Sequence, residues 1–196
     1  MFNILLEELP EKWNGYEIYT DLETGIKLSQ CLTDEDLNEE EKLNTAVYLL
    51  FKDDFPRDYG QIVEAIMFLL NGWNNDNMPK QTRKDKEIEV MDFDMDSWRI
   101  YAAFRRQYRI DLGKENLHFW AFMGLLSCLD ECAFTKVIEL RQKKITSSMS
   151  KKEKDAISKA KDMYRIQKNG TVGETEAEQE EHREAIEVFN RMRKKV

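Results

Sequence analysis

The stretch that most constrains this chain is residues 91–129, MDFDMDSWRIYAAFRRQYRIDLGKENLHFWAFMGLLSCL. Eight of the chain's 21 aromatic residues fall in it: Phe93, Trp98, Tyr101, Phe104, Tyr108, Phe119, Trp120 and Phe122. Trp98, Tyr101, Phe104 and Tyr108 lie three or four apart, the spacing of one helix face. After a break at 111–115, residues 117–129 are apolar on nearly every side, and a helix apolar all round is buried in a core or against partners. Two short helices joined by a tight turn containing Gly113 make a helical hairpin. The rest of the chain is expected to pack around it, giving a mainly α fold.

The flanking segments read as helices with recognisable ends. Asn14-Gly15 is a strong hairpin turn signal, which lets Tyr16 and Ile18 pair with Ile4 to Leu6, although Pro10 limits the strand. A capping box from Thr20 to Glu23 opens a helix burying Leu22, Ile26 and Leu32 and ending near Thr33. Asn38 with Glu41 opens a second, with Leu43, Ala46, Val47, Leu50 and Phe51 as its stripe. A third is expected over 59–73, burying Ile62, Val63, Ile66, Met67 and Leu70. After the aromatic hairpin, a helix from Phe134 to Ile145 buries Phe134, Val137, Ile138 and Leu140 or Ile145. Ser150 with Glu153 caps one more, running to about Gln167.

Composition shifts divide the chain. Residues 74–88 are polar, hold Pro79 and lack any apolar period, as a linker does. Gly170 and Gly173 bracket a hinge. Beyond it, Ile186, Phe189, Met192 and Val196 form a thin stripe on a weakly anchored C-terminal helix. The expected division is therefore 1–73 as hairpin plus helices, 74–90 as linker, 91–168 as helical core, and 169–196 as hinge and terminal helix.

The net charge of −8 is unevenly placed: 16 acids and five bases in 1–73, against 11 bases and four acids in 133–168. Such asymmetry can support head-to-tail self-association or an acidic or basic partner, and the overall acidity argues against non-specific nucleic-acid binding. Three cysteines, Cys31, Cys128 and Cys132, follow no framework spacing and sit in apolar helical patterns, which points to buried thiols in a reducing compartment. No basic segment precedes the short apolar run at the start, so no secretory signal is expected.

No constellation makes a case for catalysis. Asp92, Asp94 and Asp96 alternate like the start of a calcium loop, but Ser97 stands where the turn glycine belongs and Ala103 where the bidentate Glu belongs. Helix capping before Trp98 is the better reading. Cys128 and Cys132, with His118 ten residues before the first, lack the further ligand a zinc site needs. No nucleophile elbow, phosphate loop or dinucleotide fingerprint is present. The protein is therefore expected not to be an enzyme and to need no cofactor or metal. Arg105, Arg106 and Arg109 beside aromatics suggest a strand-binding face, which ion pairing with the acidic N-terminal third explains as well.

The opening NILLEELPEKWNGYEIYTDLETGIKL resembles the N-terminus of a protein family of tailed bacteriophages and prophages of Gram-positive bacteria, named by gene-product number fifteen. Its typical start is an LLxxLP segment, a turn with Asn-Gly, and a Thr-Asp-Phe-Arg element; here Thr20-Asp21 is followed by Leu22-Glu23. Residues 96–104, 108–112 and 118–122 look like the family's central signature, continued by FTKVIELR at 134–141. The resemblance covers roughly 2–168. It implies a tail-gene-cluster protein acting in the bacterial host cytoplasm, a tail assembly chaperone that coats the tape-measure protein. The alternatives it leaves are a structural component of the finished tail or connector, and a nucleic-acid-binding regulator. The expected partners are tape-measure or tail proteins and further copies of the chain, with no membrane. Candidate contacts are Trp98, Tyr101, Trp120, Ile186, Phe189 and Met192.

Overall fold

Asn14 and Gly15 both take positive φ, 48° and 90°, the backbone that a two-residue hairpin turn requires. They join β1 (Lys12–Trp13) to β2 (Tyr16–Glu17) in antiparallel register, Trp13 opposite Tyr16 and Lys12 opposite Glu17. The partner of β2 is therefore the segment just before the turn rather than Ile4 to Leu6. Those residues are exposed and form a local turn on the Asn3 carbonyl. The ribbon continues past β2: Ile18 bridges Phe51, and the Tyr19 N–H donates to the Leu50 carbonyl at 2.7 Å. Described here, in a computed structural model, are residues 2–72 and 90–167.

Seven helices follow among the described residues: α1 (Leu22–Thr33), α2 (Glu39–Leu50), α3 (Tyr59–Asn71), α4 (Ser97–Gln107), α5 (Phe119–Ser127), α6 (Ala133–Gln142) and α7 (Lys151–Met163). The fold is mainly α with a small N-terminal hairpin. Their starts are chemically marked. Asp21, one residue after the expected Thr20, caps α1 by accepting from the Thr24 N–H at 3.0 Å. Asn38 and Glu41 form the expected capping box on α2, as do Ser150 and Glu153 on α7. Asp58 caps α3. Such caps satisfy N–H groups that the helix itself leaves unpaired.

The described residues up to Lys144 make one compact unit, and those from Ile145 belong to another. In the first, α1 packs on α2, α3 and α5, α3 also on α5, and α4 on α6. The core holds Leu28, Ala46, Leu50, Ile62, Ile66, Leu69, Phe104, Phe119, Trp120 and Phe122. Helices before and after residues 73–89 thus share one apolar interior. Two stripes are rotated from expectation. On α1 the buried residues are Thr24, Gly25, Leu28 and Cys31, with Leu22 and Leu32 at the edge of the core and Ile26 half-buried. On α3 Ala65 and Leu69 join Ile62 and Ile66, and Met67 is turned outward. Gly25 explains the first shift: a Cβ there would lie 2.0 Å from Phe119 Cδ2, so only glycine lets α5 come this close. The α4–α5 connection is eleven residues (108–118) rather than a tight turn, with Arg109 at φ 62°; Phe104 stacks on Phe122 across the pair at 5.1 Å.

In the second unit α7 has no buried residue. The expected linker 74–90 (apart from Val90), the hinge glycines and the terminal helix with Ile186, Phe189 and Met192 lie outside the described residues.

Candidate partner-binding surface

Helix α4 is fixed at both ends. At its start, Asp96 is fully buried and Arg141 of α6 is 6% exposed. The guanidinium meets the carboxylate twice, Nη1 on Oδ2 and Nη2 on Oδ1 at 3.2 Å, and its Nη1 also donates to the Val90 carbonyl at 2.9 Å. Arg99 adds a donor to Asp96 Oδ1 at 3.0 Å. The bidentate arrangement is the strong geometry for this pair. Asp96 was expected to cap the helix; its side chain makes no cap bond and serves as the anchor of α4 on α6. Asp92 does the local work, accepting from the Asp94 and Met95 N–H groups. At the far end, the Gln107 amide and the Tyr108 hydroxyl donate to the carbonyls of Cys128 and Leu125, at 3.1 and 2.8 Å.

So held, α4 turns Ile100, Ala103 and Phe104 inward. Its outward face carries Trp98, Ala102, Arg105 and Arg106, with Arg109 just beyond. Trp98 is 76% exposed and meets Tyr101 edge to face, centroids 5.9 Å apart. Tyr101 is half-buried, its hydroxyl 3.3 Å from Asp111 Oδ1. Arg105 lies 3.9 Å from Asp111 and donates to the Arg109 carbonyl. The structure thus brings Trp98, Tyr101 and the three arginines together on one surface. Trp120 is elsewhere: it is 4% exposed, packs on Phe2 and Phe68, and gives its indole N–H to the Leu69 carbonyl at 2.8 Å.

His118 is the N-cap of α5. Its Nδ1 accepts from the Trp120 N–H and its Nε2 donates to the Pro10 carbonyl, each at 3.0 Å, which fixes one neutral tautomer. Burial holds its pKa below the ordinary value, against smaller opposing effects of the Pro10 carbonyl, Glu11 and Asp21. Of the cysteines only Cys31 is buried, and burial raises its pKa. Cys128 is exposed at the end of α5, and Cys132 half-exposed at the start of α6, so the expectation of burial fails for those two: they stand at helix boundaries, not inside a helix. Among the described residues no group of three or more His, Cys, Asp or Glu side chains is placed to hold a metal ion, and no helix is long and apolar enough to cross a membrane.

The family model described as bacteriophage Gp15 protein matches residues 5–166. The chain belongs to that family. No curated protein and no solved structure matches it. In this Gp15-family chain the matched range takes in the hairpin, α1 to α7, the Asp96–Arg141 anchor and the Trp98 face. Ile186, Phe189 and Met192 lie beyond it. The anchor escaped sequence reading because its two halves are 45 residues apart. The one available signal was Arg141 itself, four residues after Val137 on the Phe134–Val137 stripe, where a core residue belongs.

Proposed function

We propose that this protein is a tail-morphogenesis chaperone: it works by binding other proteins, not by catalysis, in the cytoplasm of the bacterial host, and its client is the phage tape-measure protein. Membership of a bacteriophage family supports the phage part of this reading. The observation that carries the rest is Trp98, a large aromatic side chain left 76% exposed on a helix anchored at both ends. A rigid exposed tryptophan flanked by arginines is the composition of a protein-contact hot spot, because it loses little side-chain freedom on binding. A client helix with an apolar face and acidic flanks suits such surfaces.

The test is co-expression with the tape-measure protein of the same phage. A chaperone keeps the client soluble, co-purifies with it and is absent from purified virions. A client equally soluble without it overturns the reading. Presence in virions at structural copy number favours the alternative of a tail or connector component. A salt-dependent shift of labelled DNA, lost on replacing Arg105, Arg106 and Arg109, would favour the nucleic-acid reading.

A further inference from the structure

The outward face of α2 mirrors that of α4. Helix α2 opens with Glu39, Glu40 and Glu41, exposes Asn44, and ends in Tyr48, which is 82% exposed. Helix α4 opens with exposed Trp98, exposes the small Ala102, and ends in Arg105 and Arg106. The two faces have the same periods. From Trp98 to Arg106 and from Glu40 to Tyr48 is eight residues, about 12 Å of helix in each case.

We infer that the outward face of α4 docks on the outward face of α2 of a second copy of this chain, with the two helices antiparallel. In that register Trp98 meets Tyr48, Ala102 meets Asn44, and Arg105 and Arg106 meet Glu41 and Glu40. Each position finds a partner of complementary kind: aromatic on aromatic, a small side chain where the axes come closest, and guanidinium on carboxylate. Reversing one helix would set Trp98 against the glutamates and the arginines against Tyr48, losing both ends together. Glu41 and Arg105 already have partners in their own chain, in the α2 capping box and at Asp111. Arg106 and Glu40 have no ion pair among the described residues, so their charges remain for the second copy.

The contact joins two different faces, so each copy keeps one of each unused and further copies can add head to tail. One helix pair is a small interface at the weak end of specific association, and its charge pairs are screened by salt. The inference does not rest on the chaperone reading, but it uses the same α4 face, so within an assembly only the end copy's Trp98 is left for a client.

The experiment is sedimentation velocity on the full chain over a wide concentration range at low and high salt. Concentration-dependent association that weakens with salt is expected. Trp98→Ser should lower the association constant at least about fivefold, as loss of a hot-spot aromatic does. Arg106→Glu and Glu40→Arg should each weaken association, and combining them in one chain should restore it, because the pair is rebuilt with its signs exchanged. All three positions are exposed, and circular dichroism checks that each variant is folded. A strictly monomeric chain at high concentration and low salt overturns the inference, and so does association unmoved by the three single variants. Failure of the double variant to recover overturns the register. Self-association weakened by Arg106→Glu but unmoved by Glu40→Arg would put α4 on another acidic surface of the chain, which also overturns the α2 contact.

Discussion

Two glycines in helices make opposite demands. A Cβ on Gly25 would run into the Phe119 ring, whereas one on Gly124 meets nothing within 4 Å. Phe119 is 2% exposed and cannot swing away. Gly25→Ala should therefore cost about 1–3 kcal/mol as an overpacked contact, while Gly124→Ala should gain about 0.5–1 kcal/mol by stiffening the unfolded chain; urea melts of both variants read the sign directly. The Asp96–Arg141 pair makes a sharper case. Removing Arg141 takes away the bidentate partner of a fully buried carboxylate and leaves Arg99 as its remaining ion partner among the described residues, so Arg141→Met should cost up to about 3–5 kcal/mol. Adding Asp96→Asn to it should recover a good part of that loss, and a double-mutant cycle measures how much. If the two losses simply add, the carboxylate is not held by the guanidinium. Neither role was legible in the residues themselves. Asp96 has the right type and place for a cap, and Gly25 is only a poor helix former until Phe119 arrives from 94 positions away. Asn14-Gly15 and Asn38 with Glu41 were legible because their chemistry is complete within four residues.

At the scale of elements, periodicity gave the helices and misplaced some of their faces. Trp98, Tyr101, Phe104 and Tyr108 do share an arc of α4, but it is about 120° wide at roughly 100° per residue. The core takes only its Phe104 side, centred on Ile100, Ala103 and Phe104, and leaves Trp98 in solvent. Nothing local decides which edge of an aromatic arc is covered; α6 and its Arg141 decide it. The site was legible to the same extent: Trp98 and Tyr101 stand on the surface, while Trp120, from an all-apolar helix, fills the interior. The start of that helix, α5, has a pH-dependent device. His118 uses Nδ1 to cap the Trp120 N–H, and protonation would remove that acceptor. Its folded pKa lies below the ordinary 6.5, so the unfolded chain takes up the proton first. This contribution to stability is fully present above 6.5 and is lost as the pH falls through that value toward the folded pKa. His118→Asn keeps a capping acceptor without titrating. Unfolding free energies between about pH 5.5 and 7.5 should fall on acidification in the parent and be flatter in the variant. Equal slopes would remove His118 as the cause.

For the whole molecule, the question is how much chain the core needs. Among the described residues, every member of the core cluster, and every apolar residue packed against it, lies between Phe2 and Ile138. Helix α7 is 13 residues long with nothing buried, a length at which a helix alone in water is marginal. A chain ending at Lys144 should therefore unfold with a free energy within about 0.5 kcal/mol of the full chain, the usual bound for changes that touch no packed feature. All four tryptophans, at 13, 73, 98 and 120, remain in it, so fluorescence follows both proteins alike. A loss above about 2 kcal/mol would mean that residues beyond 144 complete the fold. The same truncation separates two modes of self-association. It removes most of the basic run of 133–168 and the Ile186, Phe189 and Met192 stripe, yet keeps α2 and α4 intact. Sedimentation of the truncated chain should show the salt-sensitive association of the full one, still weakened by Trp98→Ser. If association disappears with residues 145–196 instead, copies meet through the basic segment or the terminal stripe, and the acidic N-terminal third is the natural surface for the former to find.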